Sequence, residues 1–259
     1  MRRMTFAAIG LLAALLLSAT AFAEVVQQGT LRVSIATQVK PYRLPRADPA
    51  PIKALIAGHV WTSTGAVPPQ LRRLTVLINR HGELEPGSIP SCGIDQIRPS
   101  TSGQAIKRCG AALVGSGRFW ASVVLPEQGV YHTTGRLLAF NGVVGGRPAF
   151  LAQIYTTQPF PSSFVVPFSI RHIDRGPYGT ELSGSLPQAL GEWGFVNRIK
   201  MTLGNETTIG GHILSYLRAS CPAPKGTDSA SFPLALAEFY FAGGEKLEAT
   251  VPKSCGVRE

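Results

Sequence analysis

His172 and Asp174 lie two residues apart in a predicted strand, so their side chains would point to the same face of a sheet. An imidazole and a carboxylate at this spacing could hold a metal ion that activates water for hydrolysis. No third ligand is identifiable, because none of the five histidines forms an H-x-x-x-H or H-E-x-x-H pattern. We therefore interpret the pair as the end of a strand that leaves the sheet for solvent.

Paired carboxylates could instead hydrolyse a glycosidic bond, which requires two acids roughly 5–10 Å apart. The acidic residues in or near predicted elements are Glu127, Asp174, Glu181, Glu192 and Glu238. Glu238 interrupts an apolar strand face, so it lies either at a strand end or in an unusual buried position. Burial would raise its pKa and suit it to donate a proton, whereas a solvent-facing Glu238 would be inert. The chain has no G-x-S-x-G pattern and no phosphate or dinucleotide loop. A hydrolase with a dispersed carboxylate or His/Asp site is thus an alternative function, with no catalytic residue, metal site or cofactor assigned.

Two groups of residues could bind a partner without catalysing a reaction. Trp193 lies in a loop-like stretch and is the best candidate to stack on a sugar ring. Lys40, Arg43 and Arg46 form the densest basic group, in a chain with a formal net charge of +10. This charge favours an anionic cell-wall polymer or a glycan as partner. One aromatic residue among the basic ones is too few for a nucleic-acid platform, so no nucleic acid is expected.

The first 23 residues predict a cleaved signal peptide. Arg2 and Arg3 precede the apolar stretch 6–17, and 21–23 read Ala-Phe-Ala, a small-x-small cleavage site. Cleavage would leave 236 of the 259 residues and would lower the net charge by the two arginines, to +8. The apolar stretch is shorter than the about 20 residues that span a bilayer. We therefore expect a secreted or extracytoplasmic protein with no transmembrane segment after cleavage.

The chain contains four cysteines, Cys92, Cys109, Cys221 and Cys255. An even number in an exported chain indicates two disulfides, for which three pairings exist. We favour Cys92–Cys109 and Cys221–Cys255, because each closes a short loop within its own half of the chain. The absence of any C-x-x-C spacing argues against a zinc site.

Short runs of alternating apolar residues, punctuated by 28 glycines and 20 prolines, occupy most of the chain. This pattern is typical of an all-β, antiparallel β-sandwich. In one run, Leu55, Ala57, His59 and Trp61 share a face, which predicts a core position for His59. One segment has helical spacing instead, with caps at 100–102, and predicts a short helix near residues 101–113.

A weak internal repeat suggests two halves. The segments 67–71 and 186–190 are both rich in proline, glutamine and leucine, and each precedes a strand and then a Ser-Cys pair. Duplication of a β unit would explain this order and predicts two sandwich-like halves, residues 24–130 and 131–259.

Several short segments of the sequence, taken together, resemble those of a family of secreted actinobacterial proteins with no assigned function. The resemblance covers nearly all of the chain after the leader and is carried by the segments 40–45, 68–71, 78–84, 89–92, 109–117, 137–142 and 215–221. It implies export and one shared architecture, and it transfers no catalytic residue.

These observations favour a secreted, non-enzymatic β-sandwich module that binds an anionic or glycan component of the cell envelope. Besides the hydrolase, a second alternative is a carrier of an apolar ligand between the sheets. Strands such as 119–125, which are apolar on both faces, would suit a carrier as well as an ordinary packed core.

Overall fold

A computed structural model describes residues 23–186, 194–204, 206–209 and 212–258 of the protein. The predicted leader, residues 1–23, lies almost entirely outside the described residues, and Trp193 lies outside them too. The described part consists mainly of strands, which confirms the prediction of an all-β protein. No helix in this part is long and apolar enough to cross a membrane.

The strands follow one another closely along the chain because short alternating runs are separated by glycine and proline. In chain order they are β1 Ala23–Gln28, β2 Leu31–Lys40, β3 Arg43–Leu44, β4 Ala50–Pro51, β5 Lys53–Thr62, β6 Leu71–Asn79, β7 Gly82–Leu84, β8 Cys92–Gly93, β9 Leu113–Val124, β10 Val130–Val144, β11 Arg147–Thr156, β12 Ser162–Arg175, β13 Tyr178–Ser185, β14 Gly194–Leu203, β15 Glu206–Ile209, β16 His212–Ser215, β17 Leu217–Ala219, β18 Ser229–Phe241 and β19 Lys246–Val257.

One large sheet contains most of these strands, in the order β1-β2-β5-β14-β9-β10-β11-β12-β13-β6-β18-β19-β3. Neighbours are antiparallel except β3 with β19, and the short β8 also pairs in parallel with β10. At the far end of this order, β19 lies against β1 and β2. The sheet therefore curls until its two ends approach each other, as strongly twisted sheets of more than about ten strands tend to do. A small sheet, β4-β17-β7, accompanies it.

The connectivity of the large sheet differs from the expected arrangement of two halves. Strand β5 pairs with β14, and β6 lies between β13 and β18, so strands from 24–130 and 131–259 alternate in the same sheet. Residue 130 begins β10, which pairs with β9 in a long hairpin. Local sequence patterns predict strands but not which strands pair, so they do not predict that the two halves share one sheet.

The predicted helix and both predicted disulfides are confirmed. Helix α2 spans Ser102–Cys109, after a four-residue helix α1 at Ile94–Ile97, and a 3₁₀ turn follows at Gly110–Ala112. The Thr101 hydroxyl accepts a hydrogen bond from the Gln104 backbone, and the Gln104 side chain accepts one from the Thr101 backbone, which forms a capping box. Disulfides join Cys92 to Cys109 and Cys221 to Cys255. The first anchors α2 to β8 at the large sheet.

The two faces of the large sheet have different surroundings. On the outer face, α2 covers Leu138 and Phe140 of β10, and Ala105 and Cys109 pack into that cluster. On the inner face, the alternate residues Leu137 and Ala139 pack towards the strands on the other side of the curl. The inner face therefore encloses the central space of the molecule.

Candidate functional site

An apolar cavity of about 280 Å³ lies on the inner face of the curled sheet. Its walls come from β2, β5, β6, β7, β10, β11, β12, β13, β14, β17, β18 and β19. Natural ligand pockets occupy about 300–1,000 Å³, and a dry cavity of about 150 Å³ is large enough for benzene. The space is therefore nearly twice what one benzene ring requires, close to the size of a small-molecule site.

Strand alternation explains why the wall is apolar. Along β5, the cavity is lined mainly by Ala54, Ile56, Gly58 and Val60, every second residue, and His59 also borders it. In the register with β14, Gly58 is opposite Ile199, Ile56 is opposite Met201 and Ala54 is opposite Leu203. The neighbouring strand therefore contributes its own apolar residues to the same wall.

The side chains around this space are less buried than core residues normally are. Ile56 and Ile199 are only half-buried although both point inward, and so is Leu182 of β13. Protein interiors are normally packed as densely as organic crystals, so large inward-facing side chains should touch atoms on every side. The incomplete burial indicates that these side chains border a void that an apolar molecule could fill.

Tyr216 is the notable polar residue of the wall. It is fully buried, yet its hydroxyl has no hydrogen-bond partner among the described residues. Burial raises the pKa of Tyr216, so the hydroxyl keeps its proton at neutral pH. A buried donor without a partner costs about 1–3 kcal/mol. The hydroxyl has no surface open to the cavity, so its missing hydrogen bond is a property of the fold and does not mark a contact with a bound molecule.

A smaller void of about 70 Å³ continues from the cavity. The two share Leu71, Ile154, Val166, Leu186 and Val196 in their walls. The smaller void also has polar groups, since Thr133 and Thr156 contribute to it and their hydroxyls bond each other at 2.9 Å. The apolar space is therefore elongated and more polar at the smaller end.

His59 does not occupy the core position that was predicted. His59 is half-buried and borders the cavity, but most of the β5 wall consists of the residues that alternate with it. Its ring stacks on that of Trp61, with 4.6 Å between the ring centroids. Partial burial, followed by the nearby charge of Arg198, lowers the pKa of His59. The sequence pattern identified residues that share a face correctly but assigned the wrong face to the interior.

The predicted basic group divides into two kinds of residue. Arg46 serves the structure, because its guanidinium donates hydrogen bonds to the carbonyls of Ala223, Pro224 and Thr227 at 2.7–2.8 Å. Lys40, at the end of β2, and Arg43, in β3, are exposed and form no ion pair within the described ranges. Trp193 is outside the described residues, so binding by Trp193, Lys40 and Arg43 stays a prediction.

The His/Asp pair of the hydrolase alternative is exposed on β12. Asp174 forms an ion pair with Arg80, whose guanidinium also donates to the Gly176 carbonyl at 2.7 Å. His172 is opposite Thr180 in the sheet. No cluster of three potential metal ligands occurs among the described residues. The geometry places neither residue in a cavity where water or substrate would be activated.

Glu238 is buried, which is one of the two positions that the sequence leaves open, and its environment favours the charged form. It accepts hydrogen bonds from Tyr240 at 3.0 Å, Arg175 at 3.2 Å and Lys246 at 3.3 Å. Burial alone would raise the pKa of Glu238, but these three hydrogen bonds and the Lys246 charge outweigh it and lower the pKa. The carboxylate is therefore ionised at neutral pH and is not suited to donate a proton.

The sequence allowed an apolar carrier as an alternative, but it singled out neither the strands that line the cavity nor Tyr216. One signal was present, because Gly58 interrupts an otherwise apolar strand, and glycine inside a strand often marks the close approach of another group. Tyr216 carries no comparable signal, since a tyrosine inside a predicted strand is ordinary. Comparison with known proteins found no matching family model, no matching curated protein and no matching solved structure.

Proposed function

We propose that this protein is a carrier that binds one small apolar molecule in the cavity of its curled sheet. The observation that carries the proposal is the cavity of about 280 Å³, whose wall is built from apolar side chains of twelve strands. An apolar molecule that fills this space removes apolar surface from water, which lowers the free energy.

The chemistry of the wall suggests the class of ligand. The volume suits a medium-length acyl chain or two to three fused rings, on the scale of about 150 Å³ for one benzene. The apolar wall favours a ligand that is mostly hydrocarbon, such as a fatty acid or an ester. A hydrolase receives no comparable support, because His172, Asp174 and Glu238 are either exposed or held by cations.

Export is part of the same proposal. Two formed disulfides are typical of chains that leave the cytoplasm, where thiols stay reduced. Mass spectrometry of the exported protein should find a chain that starts at Glu24 and contains no free thiol. A chain that retains residues 1–23, or that remains in the cytoplasm, would contradict this part.

The binding proposal can be tested with aminoanthracene, a three-ring probe that fluoresces strongly only in apolar surroundings. We expect a saturable increase in fluorescence on addition to the protein, after bound lipids have been removed by hydrophobic exchange. Dodecanoate should displace the probe, whereas acetate, which has the same charge and almost no apolar surface, should not. No saturable signal, or equal displacement by acetate, would count against a carrier.

A further inference from the structure

The outer face of the large sheet carries a row of cations across three neighbouring strands. Lys200 of β14 is opposite Arg118 of β9, and Arg118 is opposite Arg136 of β10. Neighbouring strands are about 4.8 Å apart, so the row extends about 10 Å across the sheet. Arg198 is two residues from Lys200 on the same face, and all four side chains are exposed. We call these four residues the cationic row.

Nothing in the described part of the chain neutralises the cationic row. None of its four side chains forms an ion pair or a hydrogen bond with a described residue. Like charges directly opposite each other destabilise a sheet. Elsewhere in the same sheet the chain avoids this cost, since Arg171 is opposite Glu181 and pairs with it at 3.0 Å. An external anion would relieve the repulsion in the cationic row.

Aromatic side chains lie beside the cations. The Arg198 guanidinium lies over the Trp120 ring, 4.9 Å from its centre, and Tyr155 of β11 is opposite Arg136. Trp61 is half-buried on the same face, with His59 stacked on it. Tryptophan and tyrosine rings, mixed with lysine and arginine, are typical of protein surfaces at the headgroup level of a bilayer. This combination favours a lipid surface over a soluble polyanion.

Helix α2 covers the outer face of the sheet next to the cationic row but does not cover the row itself. Further along β10, the outer face is apolar at Leu138 and Phe140, and α2 covers it. The cover ends before Arg136, so the charged part of the face remains open to solvent. The fold therefore covers the apolar part of the face and leaves the cationic and aromatic part accessible.

We propose that the cationic row docks the protein onto a bilayer that contains anionic lipid. This proposal rests on the proposed carrier function, because an apolar ligand must come from or go to a membrane. Each lysine or arginine near an anionic bilayer increases binding about fivefold. Three of them together therefore contribute about 100-fold in vesicle binding.

The test is cosedimentation of the exported protein with vesicles of phosphatidylcholine, with and without phosphatidylglycerol. The triple variant Arg118→Gln, Arg136→Gln, Lys200→Gln should lose about 100-fold in binding to the anionic vesicles. The matched control is the triple variant Arg147→Gln, Lys225→Gln, Arg258→Gln, which removes the same charge from exposed positions elsewhere. The control should retain wild-type binding to within about fivefold.

Three results would overturn the proposal. They are equal binding of the wild type to neutral and anionic vesicles, equal losses in the two triple variants, and binding to a soluble anionic polymer such as heparin without binding to vesicles. Aminoanthracene fluorescence without vesicles keeps this test separate from the carrier function. Loss of vesicle binding with an unchanged probe signal supports the cationic row, whereas a protein that binds vesicles but no probe would contradict the carrier alone.

Discussion

Replacement of Gly58 with phenylalanine should fill about half of the apolar cavity, prevent ligand binding and stabilise the folded protein. Gly58 lies in the cavity wall, opposite Ile35 on one side and Ile199 on the other. A Cβ atom added at Gly58 would lie 3.4 Å from the nearest atom of Ile199, an ordinary contact. The larger part of a new side chain would therefore extend into the cavity without a backbone shift.

The magnitude follows from the cavity volume. A benzyl group needs about the 150 Å³ that benzene occupies, which would leave roughly 130 Å³ of the 280 Å³. The remainder is too small for the three rings of aminoanthracene, so its affinity should fall more than tenfold. Burial of a phenylalanine side chain contributes about 1.5–3 kcal/mol, and removal of a glycine from a strand interior adds about 0.5–1 kcal/mol. Together these contributions give an expected stabilisation of about 2–4 kcal/mol.

The assay combines probe titration with urea unfolding under non-reducing conditions. Ala57→Phe is the matched control, because Ala57 is the next residue of β5 and faces outward, opposite Lys200. It adds a benzyl group outside the cavity and should leave probe binding unchanged. If the Gly58→Phe variant were less stable than the wild type and bound the probe normally, the cavity would be neither empty nor the ligand-binding site. The carrier proposal would then fail.

Other predictions concern single interactions. Tyr216→Phe removes a buried hydroxyl without a partner, so it should raise the free energy of unfolding by about 1 kcal/mol in urea and leave aminoanthracene binding unchanged. A loss of stability would show that the hydroxyl has a partner in the folded protein. The lowered pKa of Glu238 stabilises the fold above the unfolded value of 4.5, and this contribution is lost as the pH falls through the folded pKa. Glu238→Gln should lower the free energy of unfolding by about 1–2 kcal/mol at pH 7 and by less at low pH. A loss of stability that does not change with pH would refute the ionised state assigned to Glu238. Joint replacement of Cys221 and Cys255 by serine opens a loop of 34 residues. This should lower the free energy of unfolding by about 4 kcal/mol and the melting temperature by roughly 10 °C in calorimetry. A shift below about 2 °C would show that the loop is already ordered without the disulfide.

Part of the architecture follows from local sequence. Alternating apolar runs predict strands because successive side chains point to opposite faces, whatever the neighbouring strands are. The helix near residues 101–113 is equally local, since Thr101 and Gln104 form its cap within one turn. The disulfide pairing is predictable for a related reason, because each bond closes a short segment and connects elements that are close in sequence.

The candidate site depends on long-range pairing and is not visible in any single segment. Gly117 shows the same dependence, because the residues around it do not reveal which strand it contacts. In the fold, it lies inside β9, where a Cβ atom would collide with the Lys200 carbonyl of β14. The partner strand is more than 80 residues away in the chain, and no local pattern could identify it.

The amino-acid sequence alone thus determined an all-β chain with one capped helix and two sequential disulfides, since propensity, alternation and capping act over a few residues. The tertiary structure decided which strands are neighbours, which face is inside and where a cavity and a row of cations arise. The curl brings Gly58, Tyr216 and Leu182 around one void, and the register aligns Arg118, Arg136 and Lys200. Both features depend on the positions of distant strands, which the free energy of the whole fold sets.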